Sequence, residues 1–78
     1  MREKVLQCVV TFKTTTEAMA FEDIAKKEGL TGRLIPLPRV ISAGCGLSWR
    51  ECPDNKDIIK GLINKYSLQY NEIHEVII

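Results

Sequence analysis

Four side chains in this sequence could act as nucleophiles or soft ligands: Cys8, Cys45, Cys52 and His74. Cys45 differs from the others in its neighbours. It lies in the stretch R-L-I-P-L-P-R-V-I-S-A-G-C-G-L-S-W-R, from Arg33 to Arg50, with Gly44 before it and Gly46 after it. Glycine reaches backbone angles that other residues avoid and brings no side chain to shield its neighbour. A thiol between two glycines is therefore expected on a turn and within reach of another molecule. The plainer reading is a tight turn in which the cysteine is incidental. Cys8, inside an apolar run, reads as a small buried hydrophobe, and Cys52 as packed or incidental.

Other chemistries fit less well. Structural zinc sites pair their ligands at short spacing, and this sequence has no C-x-x-C or H-x-x-x-H pair. No metal is expected. The glycines form neither a phosphate loop nor a dinucleotide fingerprint, so no cofactor is expected either. Cys–His catalysis would require His74 to approach Cys45. A chain this short, with no evident substrate pocket, reads as a carrier or binding protein rather than an enzyme.

The totals bound the partners. Seventy-eight residues are read as a single domain, 1–78, with a modest core. The charges balance, 11 basic against 10 acidic, for a net charge of +1. No Lys/Arg run is present, so neither nucleic acid nor a membrane is an expected partner. Three cysteines at these spacings do not suggest a disulfide framework. Free thiols and a cytoplasmic location are the expectation. The charged start, Arg2-Glu3-Lys4, and the short apolar run after it do not read as a targeting or membrane segment.

The elements that would position Cys45 follow from periodicity. Residues 5–12 (V-L-Q-C-V-V-T-F) read as a buried strand, with Leu6, Cys8, Val10 and Phe12 on its core face. Thr14-Thr15-Thr16-Glu17 opens a helix through a capping box of Thr14 with Glu17. Ala18, Phe21, Ile24 and Ala25 form its buried stripe, and Gly29 ends it. Residues 32–37 read as an edge strand, because Pro36 and Pro38 cannot donate to a ladder. Pro38 to Gly46 is a long loop, and long loops in compact domains tend to be functional. Residues 47–52 read as the third strand. Asp54 is the expected N-cap of a second helix, whose face is Ile58, Ile59, Leu62, Ile63 and Tyr66. Gly61 would let that helix approach the sheet. Residues 71–78 read as the last strand.

The order β-α-β-β-α-β is the ferredoxin-like arrangement, an α+β fold with both helices on one face of a four-stranded antiparallel sheet. Right-handed crossovers give the strand order 4-1-3-2. They also place the Cys45 loop at the same end of the sheet as the start of the first helix, beside Thr14, Thr15 and Thr16. Helix N-termini favour anions and lower thiol pKa values. Arg39, in the same loop, could reach the same place. Seven residues of regular strand, roughly 20 Å, would keep Cys52 from bridging to Cys45, since a disulfide needs Cα atoms within about 7 Å. The open face carries Val5 and Val9, and Trp49 is either ordinary packing or part of that face. Apolar residues there would support a homodimer.

Three stretches carry a resemblance: Pro36-Leu37-Pro38-Arg39, then Ser42-Ala43-Gly44-Cys45-Gly46-Leu47 with Arg50, and Thr14-Thr15-Thr16-Glu17-Ala18-Met19 with Phe21-Glu22. Together they resemble a small bacterial family of selenium/sulfur carrier-like proteins, over most of the chain. The resemblance implies that Cys45 carries sulfur or selenium as persulfide or selenide, exchanged with donor and acceptor proteins. Arg39, Gly44, Gly46 and Thr14–Thr16 would support it, and Arg50, about five residues along the strand, would play a lesser part. Better-known sulfur-relay carriers place their cysteine before a proline at a helix start, whereas Cys45 precedes Gly46 and a strand. The alternative is a ligand-binding or protein-interaction module of the same fold without thiol chemistry.

Overall fold

The computed structural model describes residues 5–41 and 46–78. Its elements are β1 (Leu6–Thr11), α1 (Thr15–Lys27), β2 (Arg33–Pro36), β3 (Leu47–Glu51), a 3-10 turn (Pro53–Asn55), α2 (Lys56–Tyr66) and β4 (Ile73–Ile77). The strands form one sheet in the order β2-β3-β1-β4, with every pairing antiparallel. This is the ferredoxin-like α+β fold and the strand order expected from the sequence. The proline-containing β2 is an edge strand, since Pro36 can donate no ladder hydrogen bond.

Alternation along the strands sorts the side chains. Cys8, Val10 and Phe12 of the first segment join Trp49 on the helix side of the sheet, against Ala18, Phe21, Ala25 and Ile59. Phe21 anchors this core, its ring 5.4 Å from that of Phe12 and 5.5 Å from that of Trp49. Trp49 is fully buried. It therefore belongs to the core and is not an aromatic of the opposite face. Leu6 shares the core face but is exposed, because it lies near the end of the strand with Ile77 as its partner.

The ends of α1 follow local rules. The Thr14 hydroxyl accepts from the Glu17 N–H at 3.2 Å, and the Glu17 carboxylate accepts from the Lys13 N–H at 2.9 Å. The reciprocal pair is thus a capping box reaching one residue further back than its usual form. At the other end Gly29 has φ +80°. The Gly29 N–H donates to Lys26 and that of Leu30 to Ala25, a Schellman closure that a side chain in the left-handed region would resist. Thr14→Ala is expected to lower stability by about 1 kcal/mol. The check is a lower urea midpoint at unchanged slope.

Three expectations for the second half are corrected. Asp54 is not an N-cap: it sits within the 3-10 turn, and α2 starts after it with no side-chain cap. Ile59 and Leu62 are buried on α2, but Ile58 and Tyr66 stay exposed, so the apolar stripe is narrower than the sequence suggested. Gly61 does not meet the sheet, since a Cβ there would touch nothing within 4 Å. The glycine of close approach is Gly32, where a Cβ would stand 2.6 Å from Glu51 Oε1 and 2.8 Å from Trp49 Nε1.

That crowding surrounds a buried carboxylate. Glu51 is 1% exposed. It accepts from Gly32 N–H at 3.1 Å and Trp49 Nε1–H at 3.2 Å on one oxygen. On the other it accepts from Asn55 Nδ2 at 2.9 Å, Cys52 N–H at 3.3 Å and the Thr31 hydroxyl at 3.4 Å. Five donors from the approach to β2, from β3 and from the turn before α2 converge on one side chain. Burying a carboxylate is costly unless its oxygens are satisfied, and here they are.

Candidate functional site

Two elements end where the candidate site lies. In the sheet register Thr11 is opposite Ser48, and Pro36 is opposite Leu47. The β2–β3 hairpin therefore closes at the end of the sheet from which β1 leaves for α1. Leu37 N–H donates to the Gly46 carbonyl at 2.9 Å, extending the ladder by one step. Ile41 N–H turns back to the Pro38 carbonyl at 3.0 Å, and the Ile41 side chain is buried. Arg39 and Val40, between them, are exposed. Gly44 and Cys45 lie outside the described residues. Their neighbour Gly46 is exposed, and a side chain there would meet no atom of the described residues within 4 Å. Among the described residues Gly46 therefore supplies room.

Thr14, Thr15 and Thr16 stand at the start of α1, at this same end and exposed. The capping pair bears on their electrostatics. The Thr14 hydroxyl is already used by Glu17 N–H, and the Glu17 carboxylate is held at the positive end of the helix. An anion arriving there would share the helix end with that carboxylate, which leaves Arg39 the larger share of any stabilisation. Among the described residues the Arg39 guanidinium is in no ion pair or hydrogen bond. Arg50 is not at this end. It lies opposite Val9 in the ladder, four residues from Gly46, or roughly 13 Å of extended chain.

The other thiols differ in setting. Cys8 is fully buried between its ladder partners Glu51 and Glu75. Burial pushes its thiol above the ordinary value; Lys56 pulls part of the way back, and Glu75 and Glu51 add to the push. Cys8 is thus a neutral packing residue near neutral pH. Because its folded-state pKa is raised, the stability it contributes holds below the unfolded value and is lost as pH rises through the folded one. Lys56 is itself raised by its 2.7 Å hydrogen bond to Glu75. Cys52 is free and exposed, not packed. Among the described residues no group of His, Cys, Asp and Glu is arranged to hold a metal. No described helix is long and apolar enough to cross a membrane.

A shallow cleft of about 220 Å³ lies between α2 and β4, lined by Lys60, Ile63, Asn64, Tyr70 and Ile73. Ligand pockets usually run to about 300–1,000 Å³, and no thiol lines this one. It offers no competing site.

The geometry defines a ferredoxin-like α+β domain whose β2–β3 hairpin closes at the end of the sheet where α1 starts. The family model described as "Putative Se/S carrier protein-like" matches residues 7–75, and the chain belongs to that family. No curated protein and no solved structure matches it.

Proposed function

We propose that the chain carries sulfur or selenium on Cys45, as persulfide or selenide, between a donor and an acceptor protein in a reducing cytoplasm. The observation that carries this reading is the family match, whose span includes the whole Cys45 loop. The fold is compatible with it. Among the described residues Gly46 has open space where a side chain would be, and the β2–β3 hairpin closes at the end of the sheet where α1 starts. In the sulfur case the Cys45 thiolate attacks the outer sulfur of a donor persulfide. One S–S bond forms as the donor's breaks, the donor leaves as its thiolate, and no external oxidant is consumed. Arg39, aided by the Thr14–Thr16 end of α1, stabilises the anionic sulfur before and after transfer. Gly44 and Gly46 admit the partner's active site.

The expected signature is thiol reactivity. A helix start contributes about 0.3–1 kcal/mol to an anion, and a charge-assisted bond from Arg39 adds to it. One pKa unit is about 1.4 kcal/mol, so Cys45 is expected roughly one unit below a free thiol. Site-resolved alkylation against pH, read by peptide mass spectrometry, is the test. Cys45 should react fastest, exposed Cys52 should be intermediate and buried Cys8 slowest. Arg39→Met should move the Cys45 curve back up. If Cys45 titrates like an ordinary thiol in both forms, no anion-stabilising site exists there.

A further inference from the structure

The face of the sheet away from the helices carries a row that the strand alternation makes contiguous. Arg33 is opposite Arg50, Arg50 is opposite Val9, and Val9 is opposite His74. Read across the sheet, the row is Arg33, Arg50, Val9, His74. Three strand spacings make it about 14 Å long. Like charges directly opposite each other destabilise a sheet, yet no carboxylate answers the Arg33–Arg50 pair. Among the described residues the ion pairs go to Lys26, Lys27, Lys56, Lys65 and His74, and none to an arginine. Among the described residues neither guanidinium makes a hydrogen bond. The acid of this face is Glu72, whose Oε1 lies 3.5 Å from His74 Nε2 at the far end of the row. That nitrogen is buried and has no hydrogen-bond partner. Arg33 is exposed and Arg50 half-buried, so the forked donors of both are available to a carboxylate.

We infer that the Arg33–Arg50 end of this row, with Val9 buried beyond it, docks an acidic segment of a partner protein, its carboxylates on the two guanidinia. The alternatives fit less well. A second copy would set one arginine pair against another in a two-fold contact. Trp49 and Val9 are buried, and of the three apolar residues expected to support such a dimer Val5 alone is exposed. The arginine pair lies on a sheet face and not in a cavity, whereas small oxyanions favour concave sites. Two arginines on a chain of net charge +1 fall short of a nucleic-acid footprint. The carrier reading enters only in naming the partner as the donor or acceptor that meets Cys45.

The test is a backbone-amide NMR titration of the full chain with a hexaglutamate peptide. Hexalysine and inorganic phosphate serve as comparison probes. The expected result is saturable shifts centred on Arg33 and Arg50 with hexaglutamate and none with hexalysine. Arg33→Glu/Arg50→Glu should weaken binding roughly tenfold, and Arg33→Gln/Arg50→Gln by less, with dispersed spectra showing that both variants are folded. Added salt should weaken it too. Cys45→Ser should bind as wild type does, so a failed carrier reading leaves this result standing. Shifts confined to the helices, equal shifts with phosphate, or unchanged binding in the double variants would overturn the inference. So would self-association through this face in sedimentation.

Discussion

Glu51→Ala is expected to lower folding stability by about 3–5 kcal/mol. A chain of this length has about 4–12 kcal/mol in total, so the variant should sit close to its unfolding transition at room temperature. The reason is the number of donors left behind. Trp49 Nε1 is wholly inside the core, and Gly32 N–H lies beneath the crowded start of β2. Each loses its partner where water has little access, at about 1–3 kcal/mol per group. Thr31, Cys52 and Asn55 lie nearer the surface and can turn to solvent, which limits their share. Glu51→Gln keeps an acceptor for Gly32 and Trp49 but presents an amide to the other donors, so a smaller loss is expected. The readout is a urea titration followed by the fluorescence of Trp49, the one tryptophan of the chain. A Glu51→Ala midpoint within about 1 kcal/mol of wild type would show that the convergence of donors is not energetically important.

This arrangement was only partly legible in the sequence. Strand count, strand order, the edge position of β2 and both ends of α1 follow from alternation, proline placement and Thr14, Glu17 and Gly29. Those signals are local, and the structure keeps them. The face of Trp49 was less plain. Leu47 and Trp49 alternate with Ser48 and Arg50, which points the tryptophan inward, but Glu51 falls on that same inward face. A carboxylate there looks wrong until its five donors are known. Those donors come from residues 31, 32, 49, 52 and 55, and no periodicity brings them together. The same gap misassigned the close-approach glycine. Gly61 sits in a helix, where packing is the obvious reason for it, whereas Gly32 is placed by a tertiary contact. Asp54 had the residue type of an N-cap, but the chain makes a 3-10 turn first, and Asn55 turns its side chain to Glu51 instead of the helix.

The candidate site divides along the same line. Topology alone brings the β2–β3 hairpin end to the start of α1, and the register confirms that placement for Leu37, Gly46 and Leu47. That Glu17 already occupies the helix start required side-chain positions. The Arg33–Arg50 pairing was within reach of the sequence, because the expected hairpin almost fixes it. Gly44 and Cys45 remain positions argued from chemistry and family membership.

The most direct measurement of the carrier account is sulfur loading of the intact protein. The full chain is incubated with a cysteine desulfurase and cysteine as persulfide source, and intact and peptide masses are read without reductant. The account predicts the added mass of one sulfur atom, located on the Cys45 peptide and removed by reductant. Cys8→Ser and Cys52→Ser should load as wild type does, because one thiol is buried and the other lies at the far end of β3. Cys45→Ser should lose the adduct altogether. A protein that takes up no sulfur, or that loads equally well when Cys45 is serine, would contradict the account.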